Sequence, residues 1–210
     1  MNLDYYYWWF KSAIPPRICD NIVKYGLMHK DDMGITGGYG QSRNIEKHPL
    51  NKKEVKNLKK KRDSSIVWMS DRWIYRVIQP YINQANQSAN WNFTWDWSES
   101  CQFTKYKPGQ YYGWHCDSWK GAYKEEGPTK DKIRKLSVTV SLSDEKDYTG
   151  GELEFQFRNE DNPKLTKECR EILPKGSVVV FPSFVWHRVK PIKKGTRYSL
   201  VLWNLGYPFK

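Results

Sequence analysis

The chain has 210 residues, enough for one domain with a substantial core. Aromatic side chains make up 16% of it, including 11 Trp and 14 Tyr, which excludes a disordered segment and suits pleated, β-rich packing. The 35 Lys and Arg against 23 Asp and Glu leave +12, a charge that fits a nucleic-acid or acidic-polypeptide partner, or merely a solubilising surface.

Cys19, Cys101, Cys116 and Cys169 form no Cys-x-x-Cys pair and no dense framework, so they read as reduced thiols of a cytoplasmic protein. No apolar run reaches the length of a membrane span, so no membrane partner is expected. The aromatic stretch Leu3 to Phe10 carries Asp4 and lacks the basic lead and small-residue cleavage site of a secretory leader.

In chain order, residues 5–10 are expected to form a first strand. Pro15 and Pro16 then open a helix with Ile18, Ile22, Val23 and Tyr25 as its apolar stripe. The glycine-rich stretch 34–40 lacks the Lys-Ser/Thr ending of a phosphate loop. Residues 52–62 carry seven basic side chains and end in Lys59, Lys60, Lys61 and Arg62. The expectation is a solvated helix face or insertion, with polyanion contact as the alternative. A short strand over 63–68 leads to the main helix, 71–89, capped near Asp71 and kinked or split at Pro80. Its apolar side runs through Ile74, Ile78 and Ile82, and it should buttress a sheet.

From residue 91 the pattern changes to short strands. The candidates are 91–97, 101–107, 111–117, 135–142, 152–157, 177–181, 184–189 and 196–203, with a charged loop over 119–133. Gly150-Gly151, Pro174-Lys-Gly176 and Lys194-Gly195 punctuate them. Such a series reads as a sandwich or jelly roll, here mainly β with flanking helices. No internal repeat or second domain is visible, so 1–210 is read as one domain. Residues 1–97 would supply supporting strands and helices, and 98–210 the core with its site.

The chemistry gathers in two stretches. In Tyr106-Lys-Pro-Gly-Gln-Tyr-Tyr-Gly-Trp-His115-Cys-Asp117, an extended backbone puts His115 and Asp117 on one face and Cys116 on the other. Downstream, Gly176-Ser-Val-Val-Val-Phe-Pro182 leads to His187, then to Arg197 and Ser199. Two His and one carboxylate are the facial set that holds non-haem Fe(II) with open positions, although Zn with a bound water competes for it. Arg197 favours iron: a dicarboxylate cosubstrate needs a charged anchor, and a guanidinium grips a carboxylate with two parallel hydrogen bonds. Ser199, on the same strand face, can share that carboxylate.

These stretches, with Arg134 to Ser143, Tyr148-Thr-Gly-Gly-Glu-Leu153 and Gly176 to Trp203, resemble the 2-oxoglutarate and Fe(II)-dependent dioxygenases, in particular the prolyl 4-hydroxylase-like group that includes the PKHD-type hydroxylases. The resemblance implies a double-stranded β-helix, a cupin-like jelly roll, buttressed by N-terminal helices. It implies Fe(II) on His115, Asp117 and His187, with 2-oxoglutarate and O2 as cosubstrates and L-ascorbate as reductant. Tyr106 resembles the tyrosine that hydrogen-bonds the cosubstrate. Tyr112, Arg134 and Trp203 fall where the group places substrate-side residues. The activity implied is hydroxylation of a substrate C–H, most naturally on a prolyl-type polypeptide residue, with release of succinate and CO2. Where collagen-type enzymes use Lys for the carboxylate this chain has Arg197, which points to the PKHD-like branch.

Two other functions compete. An oxidative demethylase of alkylated nucleic acid shares the His-x-Asp and distant His and would explain the charge. It expects a second Arg on the final strand, and Trp203 stands there instead. A non-catalytic jelly-roll binding module would have no need of an intact triad and Arg.

Overall fold

A computed structural model of the chain describes residues 3–34, 50–118, 121–157 and 165–209. Most of the glycine-rich stretch at 34–40 therefore lies outside the described residues. The N-terminal part holds β1 (Trp8–Phe10), α1 (Pro16–Leu27), β2 (Asp32–Met33), α2 (Lys52–Lys59), β3 (Arg62–Asp63), β4 (Ser65–Met69) and α3 (Arg72–Ser88). Next come β5 (Trp97–Ser98), β6 (Cys101–Tyr106), β7 (Tyr111–His115), β8 (Ile133–Ser141), β9 (Tyr148–Gly150) and β10 (Leu153–Gln156). The last strands are β11 (Thr166–Glu168), β12 (Val178–Pro182), β13 (Trp186–Val189), β14 (Ile192–Gly195) and β15 (Arg197–Gly206).

The strands form a major sheet in the order β1-β12-β8-β15-β6-β4-β2, with β5 also paired to β15, and a minor sheet β11-β10-β13-β7-β3. A short β14-β9 ladder completes the set. Every pairing is antiparallel. The fold is the mainly-β double-stranded β-helix expected from the sequence.

Strand alternation sorts the major sheet into two chemistries. Leu136, Val138, Val140, Leu200 and Leu202 pack on Ile22 of α1 and on Ile74, Ile78 and Ile82 of α3. The intervening residues, Ser137, Thr139, Ser141, Arg197, Ser199 and Trp203, therefore point to the other face. The helices bury one face of the sheet, and the polar face is left for the site.

Two local expectations need correction. The main helix is neither split nor stopped at Pro80: it runs unbroken through it, because Ile78 and Ile82 on either side are fully buried against the sheet. Asp71 stands at its N-cap without a side-chain capping bond. Residues 91–96 form no strand. Asn90 and Asn92 take left-handed φ values of 54° and 52°, and the Asn86 side chain grips the Phe93 backbone at both its N–H and its carbonyl, 2.9 Å each. That clamp seats the Trp91 and Phe93 rings in the core. All four cysteines are free thiols, and among the described residues no helix is long and apolar enough to cross a membrane.

Gly176 shows how tightly the turn before β12 is tied. Its φ is +80°, its N–H donates to the Ser141 carbonyl at 2.8 Å, and its carbonyl accepts from the Ile14 N–H at 2.9 Å. A Cβ there would lie 2.0 Å from the Ile14 carbonyl oxygen. Gly176→Ala is expected to cost at least about 1–3 kcal/mol, read as a lower urea midpoint at unchanged m-value.

Candidate active site

His115 ends β7 and His187 lies in β13, and the pairing register sets the two directly opposite each other. Asp117 lies in the turn just beyond β7, and not on the strand as the sequence suggested. The Ser183 carbonyl takes hydrogen bonds from the Asp117 and Ser118 N–H groups at 2.8 and 2.9 Å, and that turns the carboxylate inward. Asp117 Oδ1 is 3.7 Å from His115 Nε2, and Oδ2 is 3.7 Å from His187 Nε2. One ligand atom from each residue falls within 4.8 Å of the other two.

The tautomers follow from the neighbours. His115 Nδ1 lies 2.8 Å from the Gly113 carbonyl and His187 Nδ1 lies 3.0 Å from the Val185 carbonyl. A carbonyl only accepts, so both Nδ1 atoms carry the proton and both Nε2 atoms offer a lone pair. Burial, and then the neighbouring His187, push His115 down to about 3, so it stays neutral and ready to ligate. Burial alone would raise the Asp117 carboxyl. The two imidazoles, Arg134 and the Ser137 hydroxyl outweigh it and hold Asp117 below its ordinary value. Two imidazoles and one carboxylate converging on one point fit a divalent metal of the iron or zinc kind.

Arg197 opens β15 opposite Tyr106 of β6. It is 3% exposed, donates from Nη1 to Ser199 Oγ at 3.4 Å and lies 5.7 Å over the Tyr106 ring. Among the described residues no carboxylate pairs with it. A buried cation without a counter-charge is costly, and an anionic ligand is the natural remedy. Gly151 makes room for it: at φ +69°, a Cβ would sit 2.2 Å from Ile192 Cδ1 and 3.2 Å from Arg197 Cδ. Tyr106, Tyr148, Val189 and Ile192 form the apolar wall beside it.

Tyr112 joins the two halves. It packs on that wall and stacks flat on the His115 ring, 3.5 Å between centroids at 11°. Of the residues expected to face a substrate, Arg134 lies 3.9 Å over Trp203 and pairs with Glu99, Nε to Oε1 at 2.9 Å. Burial opposes its charge, but Glu99 outweighs that and raises its pKa. The Trp203 Nε1 donor is buried without a partner among the described residues.

The sequence missed Arg62. It closes the basic run, but pairing β3 to Tyr112 of β7 carries it inward, to 3% exposure. Its Nε donates to Ser64 Oγ at 2.8 Å, Nη1 to Gln102 Oε1 at 3.3 Å, and the guanidinium covers Tyr112 at 4.5 Å. Nη2 is buried and unpartnered among the described residues. Lys59, Lys60 and Lys61 are exposed, as expected for a solvated face. The available signal for Arg62 was alternation with the buried Ser64 and Ile66, which charge counting hid. Tyr148, in the Thr-Gly-Gly motif, likewise joins the site only through the fold, beside Tyr106 on the apolar wall.

Residues 101–204 match the family model described as the 2OG-Fe(II) oxygenase superfamily. Over that stretch the chain is similar to that superfamily. The chain is 42% identical over 99 residues to a PKHD-type hydroxylase of Synechococcus sp. (strain CC9605), a match covering 47% of this chain and 38% of that protein. A PKHD-type hydroxylase of Klebsiella pneumoniae subsp. pneumoniae is 34% identical over 101 residues, 48% of this chain and 41% of the other. The matched part thus spans about two fifths of these relatives' length. Among solved structures, the chain resembles a Pseudomonas putida prolyl-4-hydroxylase with TM-score 0.65 and 17% identity, over 96% of this chain and 93% of that one. It also resembles a collagen prolyl hydroxylase of Paramecium Bursaria Chlorella virus-1, with TM-score 0.61 and 19% identity over 97% of each chain. At such identities these two likenesses speak for the fold.

Proposed function

We propose that the protein hydroxylates a C–H bond of a polypeptide side chain, prolyl-type by analogy, using Fe(II), 2-oxoglutarate and O2 and releasing succinate and CO2. The carrying observation is the buried Arg197, without a carboxylate partner among the described residues, on the wall that Tyr112 shares with the His115-Asp117-His187 set. Bound iron with 2-oxoglutarate and O2 supplies the oxidant for C–H cleavage. His115, Asp117 and His187 would hold the metal on one face. Arg197 and Ser199 would take the distal carboxylate of the cosubstrate, with Tyr106 beside them. The apolar wall excludes water from that carboxylate and so strengthens its bond to Arg197. Residues 98–210 carry this chemistry and residues 1–97 support it. L-ascorbate as reductant and a cytoplasmic setting complete the reading, the latter suited to four free thiols.

Aromatic rings and donors at the mouth favour a polypeptide. Trp68 is half exposed and lies 6.1 Å from Trp203, whose ring Arg134 covers. Rings carrying the Trp203 Nε1 donor, unpartnered among the described residues, suit an extended peptide with backbone carbonyls to satisfy. A prolyl hydroxylase from Trichoplax adhaerens, solved with a hypoxia inducible factor peptide, shares 18% identity and a TM-score of 0.62 over 96% of this chain and 84% of that one, and supports the analogy. The test is a peptide and oligonucleotide screen by mass spectrometry, in which the expected product is a peptide heavier by one oxygen atom.

The net charge keeps nucleic-acid oxidation as the second reading. The exposed lysines separate the two. Lys59→Ala, Lys60→Ala and Lys61→Ala combined should leave substrate-free 2-oxoglutarate decarboxylation unchanged; Arg62 is excluded from the set because it is buried. Wild-type oligonucleotide binding is expected to be weak. Tight binding whose salt slope this variant flattens by roughly two to three units, together with base oxidation, would replace the peptide reading.

A further inference from the structure

Two buried serines lie behind the Asp117 carboxylate. Ser137 on β8 and Ser183 in the turn after β12 are both 0% exposed. Ser137 Oγ donates to Asp117 Oδ2 at 2.7 Å, and the two serine oxygens are 2.9 Å apart. Each hydroxyl has one proton, and an ionised carboxylate only accepts. The Ser137 proton is therefore spent on Asp117, and the Ser183 proton must go to Ser137. The chain has one direction: Ser183 to Ser137 to Asp117 Oδ2.

The Ser183 backbone adds to this. Its N–H donates to the Lys135 carbonyl at 2.9 Å, and its carbonyl accepts from Asp117 and Ser118. Two residues on, the Val185 carbonyl holds His187 Nδ1. One short turn therefore fixes the backbone of Asp117, the second oxygen of its carboxylate through Ser137, and the ring of His187.

We infer that the Ser183–Ser137 hydroxyl pair is a positioning device that commits Asp117 Oδ2 to the protein and leaves Oδ1 to the metal. This rests on the reading of Asp117 as a ligand. A carboxylate free of that restraint can turn both oxygens toward a cation and occupy a position that the cosubstrate or O2 needs. Held by Oδ2, it offers one oxygen. The same hydrogen bond spreads the charge of Asp117 away from Oδ1, so it also tunes the ligand, as outer partners of metal-bound groups do.

The test uses anaerobic titration of the full-length protein with Fe(II) and Co(II), reading affinity and the visible Co(II) spectrum, with urea unfolding of the metal-free forms as the folding control. Ser137→Ala should weaken metal binding by about 10–100-fold and change the Co(II) spectrum. Ser183→Ala should give a smaller loss. The double variant should be no worse than Ser137→Ala, because the hydroxyls act in series, whereas independent structural contributions would add. Ser137→Thr keeps the hydroxyl and should restore wild-type affinity and spectrum. Folded Ser137→Ala with unchanged affinity and spectrum, or additive losses in the double variant, overturns the inference. Should Ser137→Ala not fold, an unaltered Co(II) spectrum in folded Ser183→Ala overturns it. Asp117→Ala separates the two readings: retained metal there refutes the ligand assignment itself, while loss there with no effect at Ser137 refutes only the serine device.

Discussion

Replacing any one of His115, Asp117 and His187 by alanine is expected to abolish Fe(II)-dependent 2-oxoglutarate turnover and metal retention while the fold survives. The loss of affinity should exceed the roughly 10–100-fold that removal of an outer-shell partner costs, because a coordinate bond itself is gone. The fold survives because none of the three belongs to the apolar clusters that hold the sheets to the helices. The metal-free variants should therefore unfold at a urea midpoint close to that of metal-free wild type. Asp117→Ala should come closest to neutral, since it removes a buried charge along with the acceptor of Ser137. Full turnover by any of the three, with iron still bound one to one, would mean that the wrong ligand has been named.

Arg197→Ala carries the second large effect, on cosubstrate and not on metal. A guanidinium fork on a carboxylate in a water-poor site contributes about 3 kcal/mol, so the 2-oxoglutarate requirement should rise by roughly 10²-fold. Arg197→Lys should fall between, because it keeps the charge and loses the fork. Fe(II) affinity should be unchanged in both. The ligand-free stability gives a further sign: Arg197 is a buried cation without a carboxylate partner among the described residues, so its removal should not lower the unfolding temperature. What should disappear is the upward shift that 2-oxoglutarate gives the iron-loaded wild type. Parallel loss of iron and cosubstrate binding would make Arg197 a structural residue.

The site was legible in the sequence where local geometry dictates it. His115 and Asp117 are close along the chain, and strand alternation put Arg197 and Ser199 on one face, as the 3.4 Å contact shows. His187 needed the fold, since only antiparallel pairing of β13 with β7 sets it against His115. What escaped depended on pairing or on clamps between distant residues. Arg62 ends a run of exposed lysines and is drawn inward only because β3 pairs with Tyr112. Ser137 and Ser183 are 46 residues apart, and nothing local marks either as a partner of Asp117. The rings at 91 and 93 have the composition of a strand, yet the Asn86 side chain and two left-handed asparagines hold them in a coil. Pro80 removes one helical hydrogen bond, but burial of the neighbouring turns keeps α3 whole.

The central claim is that one site holds both Fe(II), on His115, Asp117 and His187, and 2-oxoglutarate, on Arg197. Anaerobic titration of the Fe(II)-loaded protein with 2-oxoglutarate tests it most directly, by the visible charge-transfer absorption that appears when a 2-oxo acid chelates ferrous iron. A one-to-one, saturable band is expected in the wild type. In Arg197→Ala the band should need about 10²-fold more 2-oxoglutarate, and in His187→Ala it should be absent. A protein that binds no iron, or a band that forms equally well without Arg197 or without His187, would contradict it.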